Sequence, residues 1–172
     1  MFLAEETKIV PVMRPVDATG GAFATEWISM KDYQAADFVI NLGTLTATST
    51  QAVTLKVSYN AAGTKNKAIT SASAQCLLTL PFYHKTSSGD TLAKTTVASS
   101  TFNITASSDS KYVVVHVDAN HMGTFIASSV TYDADYVAIS VGTCGTHACL
   151  AAVDCYLSKP RYAQALPPTA IT

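Results

Sequence analysis

Across residues 36–157 the chain alternates apolar and polar side chains in short runs, with Ser, Thr, Gly and Asn gathered between them. A period of two sends neighbouring side chains to opposite faces, so each run predicts a strand with one buried and one wetted face. Val53, Leu55, Val57 and Tyr59 oppose Thr54, Lys56 and Ser58 in the cleanest stripe. Phe38, Ile40 and Leu42 oppose Asp37, Val39 and Asn41, while Cys76, Leu78, Leu80 and Phe82 form a third stripe leading to His84. Residues 112–117 are apolar on both sides, as a strand in the middle of a sheet can be. Weaker strands are expected at residues 27–30, 92–97 and 101–105, the last two after a Ser-Ser-Gly-Asp turn. Residues 136–141 and 149–157 are expected to close the series as a hairpin, with Cys149, Ala151, Val153, Cys155 and Leu157 on one face.

No helical stripe of useful length interrupts this pattern, and residues 118–122 have room for a single turn. Eight to ten short strands separated by turn signals predict an all-β fold, an antiparallel β-sandwich of jelly-roll-like type. Its core is expected from Phe38, Ile40, Val53, Leu55, Val57, Leu78, Leu80, Val113, Val115, Val137, Ile139 and Val153.

The two ends read differently. In residues 1–24, Pro11, Pro15 and the Gly20-Gly21 pair break any long regular element. An extended N-terminal arm with a short edge strand is expected there, followed by a sandwich domain at 25–162 and an extended C-terminal tail at 163–172 containing Pro167-Pro168. Phe2, Leu3, Ile9, Val10 and Leu166 are the apolar side chains available to anchor these arms, and they are the expected interface residues. Removal of residues 1–15 is then expected to leave the sandwich folded.

Composition narrows the functional classes. Hydrophobic residues make up 48% of the 172 and charged residues only 13%, about half the usual charged share. A net charge of −1 supplies no basic field for nucleic-acid phosphates, and the Lys159-Pro160-Arg161-Tyr162 group reads as a solvated strand exit. Glu5 and Glu6 fall where a signal peptide needs an apolar core, and no stretch approaches the ~20 apolar residues of a membrane-spanning helix. Neither a nucleic acid nor a membrane is an expected partner. Synthesis in the cytoplasm is expected, with the four cysteines reduced.

Candidate chemistry is sparse. Cys144, His147, Cys149 and Cys155 are soft ligands of the kind zinc prefers, but their spacing lacks the two short ligand pairs of a structural site. Cys149 and Cys155 also fall on the apolar face of the last strand, so no metal and no cofactor is expected. A disulfide between Cys144 and Cys149 is equally disfavoured by a reducing compartment. His116 and His121 bracket Asp118 in the manner of an acid–base pair, although His116 reads better as an outer-face residue beside Tyr112. Asp133 and Asp135 offer oxygen ligands without a Gly-bearing acidic loop around them. With no serine on a nucleophile elbow, an enzyme is not expected and no catalytic residue is assigned.

The order of several pieces carries a resemblance. Trp27-Ile28-Ser29-Met30-Lys31-Asp32-Tyr33 opens it, followed by the strand at 38–42 and Ala52-Val53-Thr54-Leu55-Lys56. Asp90-Thr91-Leu92, Lys94-Thr95, Thr101-Phe102, the strand at 112–118 and Leu157-Ser158-Lys159-Pro160-Arg161-Tyr162 complete it. In this order the chain resembles small virion structural proteins of tailed bacteriophages and prophages, head decoration (cement) proteins best. The resemblance implies a non-enzymatic sandwich on the capsid exterior, acting as a homotrimer that clamps neighbouring capsomers of the major capsid protein. A neck or tail component of the virion is the nearest alternative, and a carbohydrate-binding adhesion module is a more distant one. The Cys- and His-bearing run at 144–149 is outside the likeness.

Overall fold

The computed structural model describes residues 7–17, 20–43, 50–69, 74–75, 80–86, 91–97, 101–105, 111–143 and 150–161. In the first half of the chain these form β1 (Thr7–Asp17), β2 (Phe23–Ala24), β3 (Ile28–Ser29), β4 (Tyr33–Leu42), β5 (Thr50–Ser58), β6 (Asn66–Ala68) and β7 (Ala74–Gln75). The second half adds β8 (Leu80–Thr86), β9 (Ala93–Val97), β10 (Phe102–Thr105), β11 (Lys111–Asp118), β12 (Thr124–Ala127), β13 (Val130–Asp133), β14 (Tyr136–Val141) and β15 (Leu150–Pro160). Among the described residues the only helical piece is a turn at Ala119–His121, within the segment where one turn is expected. The expected all-β sandwich is the fold.

One sheet has the order β1-β15-β4-β11-β8-β9. The other runs β10-β5-β14-β2, with β3 also on β14 and β6 on β5. A small third sheet, β13-β12-β7, lies beside them. The period of two does what it predicts: Phe38, Ile40, Val53, Val57, Val113, Val115, Val137, Ile139 and Val153 are fully buried, and Leu55 nearly so. Of the other expected core residues, Leu80 opens β8 and Leu78 lies outside the described residues. Burying each such side chain contributes about 1.5–3 kcal/mol, so facing stripes from two sheets suffice to hold the layers together.

β14 and β15 are not a hairpin. β14 pairs with β5 in one sheet, from Tyr136 opposite Ser58 to Val141 opposite Val53. β15 pairs with β4 in the other, from Ala151 opposite Leu42 to Pro160 opposite Tyr33. β4 and β5, and likewise β14 and β15, therefore lie in different sheets, with Gly43 and Gly142 at one end of the sandwich. There the Gly43 N–H donates to Leu150 O and the Gly142 N–H to Ala52 O, each at 2.7 Å. Gln51, fully buried, donates its side-chain amide to Gly142 O. Alternation marks faces but carries no information about partners, which is why a neighbouring pair of strands reads as a hairpin.

Residues 7–17 lie on the protein's own body. β1 pairs with β15 along its whole length, with irregularities between Pro11 and Met13 and between Met13 and Val16. Val10 and Val12 belong to the core. Pro11 and Pro15 lie in this outermost strand, where a missing N–H is tolerated and edge-to-edge pairing is discouraged. The expectation that residues 1–15 are dispensable to the fold is therefore replaced. Removing them takes an edge strand and two core side chains from the sheet.

Two turns show where the backbone is constrained. The loop after β5 is tied by Ser58 Oγ, which lies 2.9 Å from Lys65 O and 3.0 Å from Asn60 O and accepts the Asn60 N–H at 3.2 Å. Gly63 in that loop has φ +62°, and a Cβ built on it would fall 2.1 Å from Trp27 Nε1. The β12–β13 hairpin turns through Ser128 and Ser129, with φ of 52° and 62°. Two positive values in a two-residue loop define a type I′ turn, made here without the usual Asn-Gly.

Candidate functional site

The face of the first sheet opposite the core is built by the side chains that alternate with the buried ones. Rows run across it in register: Tyr112–Asn41–Ala152, then Val114–Val39–Asp154, then His116–Asp37–Tyr156. Ile9 extends the last row and is 47% exposed, while Tyr83 lies beside Val114 at the other side. Tyr112, Val114, Val39 and Tyr156 are half-buried, so rings and β-branched side chains alternate with carboxylates across three central strands. Burial, with Tyr156 and Asp154 close by, pushes the Tyr112 phenol up from its ordinary value.

His116 lies on this face with Tyr112, as expected, but its partner is Asp37. His116 Nδ1 approaches Asp37 Oδ1 at 2.6 Å. That hydrogen bond, partly opposed by burial, raises the imidazole above its usual value. Asp118 serves the turn instead, accepting the Asn120 N–H at 2.8 Å. His116 and Asp118 therefore each have another partner, and the side chain of His121 lies outside what the structure describes.

At the end of the sandwich away from Gly43 and Gly142, a cleft of about 230 Å³ is lined by Met30, Lys31, Met122, Ala134, Asp135 and Arg161. Met30 and Ala134 are buried and form its apolar part. Lys31 Nζ and Asp135 Oδ2 form an ion pair at 3.0 Å, which raises the lysine, and the ammonium also stands 5.9 Å from the Tyr136 ring centroid. Backbone bonds pin the walls: Met30 N–H to Asp135 O at 2.9 Å, Asp135 N–H to Ser58 O at 3.0 Å, and Ala134 N–H to Gly123 O at 2.9 Å. The Arg161 N–H donates to Asp32 O at 2.8 Å, fixing the exit of β15 beside the turn before β4. Sequence reasoning missed this cleft, because its walls come from four separated segments and no motif joins them.

The expected interface residues are placed as follows. Ile9 is exposed beside Tyr156, and Val10 is buried within its own chain. Phe2, Leu3 and Leu166 lie outside the described residues, as do Cys144, His147 and Cys149. Cys155 is a free, fully buried thiol on the core face, and burial pushes it far above the usual thiol range. Asp135 is engaged by Lys31, and Asp133 sits opposite Thr124 in the β12–β13 hairpin. Among the described residues, no three of His, Cys, Asp and Glu converge as a metal site would require.

No protein-family model and no curated protein matches this chain. A solved structure of infectious bursal disease virus, Gt strain, aligns at 10% identity with a TM-score of 0.22. The alignment covers 98% of this chain and 45% of that one. A likeness this weak carries no argument about fold or function.

Proposed function

We propose that this chain is a structural protein of a bacteriophage virion, binding the outer capsid surface and stabilising contacts between capsomers as a homotrimer. The observation that supports the reading is the outer face of the first sheet. Tyr112, Tyr156, Tyr83, Val39, Val114 and Ile9 spread amphipathic and apolar contact area across the sheet face opposite the core, and no other described strand packs over it. Tyrosines give large contact area at low rotamer cost, and interfaces are enriched in them. The low charge density of the chain fits a surface that works packed against others, and many symmetric copies multiply modest contacts. The resemblance in the order of the strands to head decoration proteins supplies the partner, the major capsid protein.

A reconstruction of the virus particle that encodes this chain tests the proposal. Density for the sandwich tiling the head would support it, whereas a ring at the neck would move the protein to the tail connection. Sedimentation should find a trimer, and Ile9→Ser, at an exposed position of the edge strand, should weaken particle binding with little change in melting temperature. A monomer at all concentrations with no affinity for particles would refute the reading. Carbohydrate binding is a second reading, favoured by Tyr112 and Tyr156 standing beside Asp154 on the same face. Binding on a glycan array, lost on changing either tyrosine to Ala, would select it.

A further inference from the structure

We propose that the cleft between Met30, Lys31, Met122, Ala134, Asp135 and Arg161 is a binding subsite for a single carboxylate. Size restricts the ligand first. At about 230 Å³ the space is below the range of drug-sized or cofactor pockets and matches one small group. Chemistry restricts it next. The lining holds two cations and one carboxylate, and Lys31 is already committed to Asp135 at 3.0 Å. The Arg161 guanidinium has no anionic partner among the described residues. Asp133 is close enough to act on Lys31 and the Asp32 carbonyl accepts the Arg161 N–H, but neither carboxylate lines the cleft.

A guanidinium offers a planar pair of donors that matches a carboxylate, and the lining around it is more polar than apolar, with Met30 and Ala134 buried behind it. Preorganisation completes the case. The wall segments at 30, 134–135 and 161 are each fixed by a backbone hydrogen bond of 2.8–3.0 Å. Little ordering cost then remains for the ligand to offset. The inference does not depend on the capsid reading, since a carboxylate can come from a chain terminus or an acidic side chain of any partner.

Amide shifts in ¹⁵N-labelled full-length protein test it with three probes. N-acetyl-alanine carries only a chain-terminal carboxylate, N-acetyl-glutamate α-amide only a side-chain one, and N-acetyl-glutamine amide neither. Saturable shifts at Lys31, Ala134, Asp135 and Arg161 with either acid, and none with the amide, are expected. Whichever acid binds more tightly identifies the source. Arg161→Gln should weaken binding by about tenfold or more, because it removes a charge-assisted contact. Arg161→Lys should retain part of it, and both variants should melt with the parent because the side chain is exposed and its backbone bond is untouched. No saturable shift with either acid, equal binding of the uncharged amide, or unchanged affinity in Arg161→Gln would each overturn the assignment.

Discussion

Gly63→Ala is the sharpest test of how this sandwich is held at its turns. The residue sits at φ +62°, where an added Cβ costs about 1–2 kcal/mol of backbone strain. That Cβ would also stand 2.1 Å from Nε1, 2.4 Å from Cε2 and 2.7 Å from Cζ2 of Trp27. The indole must move, and forced repacking of this kind costs about 1–3 kcal/mol more. A total of about 2–5 kcal/mol is a large share of the roughly 5–15 kcal/mol that ordinarily stabilises a domain. Urea unfolding followed by circular dichroism measures the loss. Trp27 is the only tryptophan in the chain, so its emission maximum reports displacement of the ring directly. Trp27→Ala separates the two costs, since in that background Gly63→Ala keeps the backbone penalty and loses the clash. A loss under about 0.5 kcal/mol, or an equal penalty in both backgrounds, would refute the steric argument.

Four other outcomes are expected. Ser128→Asn with Ser129→Gly supplies the residues a type I′ turn prefers and should raise the urea midpoint by about 1 kcal/mol of stability at unchanged slope. Deleting residues 1–15 should lower the melting temperature sharply, because Val10 and Val12 alone contribute about 3–6 kcal/mol of burial; an unaltered melt would mean β1 is not part of the sheet in solution. Leu55→Ala should cost about 2–5 kcal/mol as a core truncation, read from the same urea curves. His116 has a raised value in the folded state, so its pairing with Asp37 stabilises fully below the unfolded value near 6.5 and is lost as pH rises through the higher folded one. Asp37→Asn should flatten that part of the melting-temperature profile, and an identical profile would show that the pair contributes nothing. The effect is small because both side chains are well exposed to solvent.

Strand identity is legible wherever one face is buried. Val53, Leu55 and Val57 or Phe38, Ile40 and Leu42 can satisfy their pattern in only one register. Partner choice is not, because β4 and β5 carry the same kind of stripe and nothing local says that each finds its neighbour far along the chain. The β12–β13 hairpin escapes notice because Ser128-Ser129 lacks the Gly or Asn that announces its turn. Met30, Met122 and Ala134 read as ordinary apolar residues, and only folding brings them beside Arg161. The His116–Asp37 contact is similarly invisible, as it joins residues on strands that meet only across the sheet.

The placing of consecutive strands in different sheets has a consequence for synthesis. The last two strands are inserted beside early ones: β15 enters between β1 and β4 in one layer, and β14 pairs with β5 in the other. Short hairpins such as β8–β9 and β12–β13 can form as they emerge, and β4 can pair with β11 by residue 118, but β1 joins its sheet only through β15, and β2 and β3 join theirs only through β14. Pairings of such long range are slow to find, typically milliseconds to seconds for all-β domains. Until then β4 and β5, which carry the stripes Phe38–Ile40–Leu42 and Val53–Leu55–Val57, each lack the strand that closes one of their edges. Yield of soluble protein should therefore respond more to growth temperature and chaperone supply than the stability of the finished sandwich would suggest.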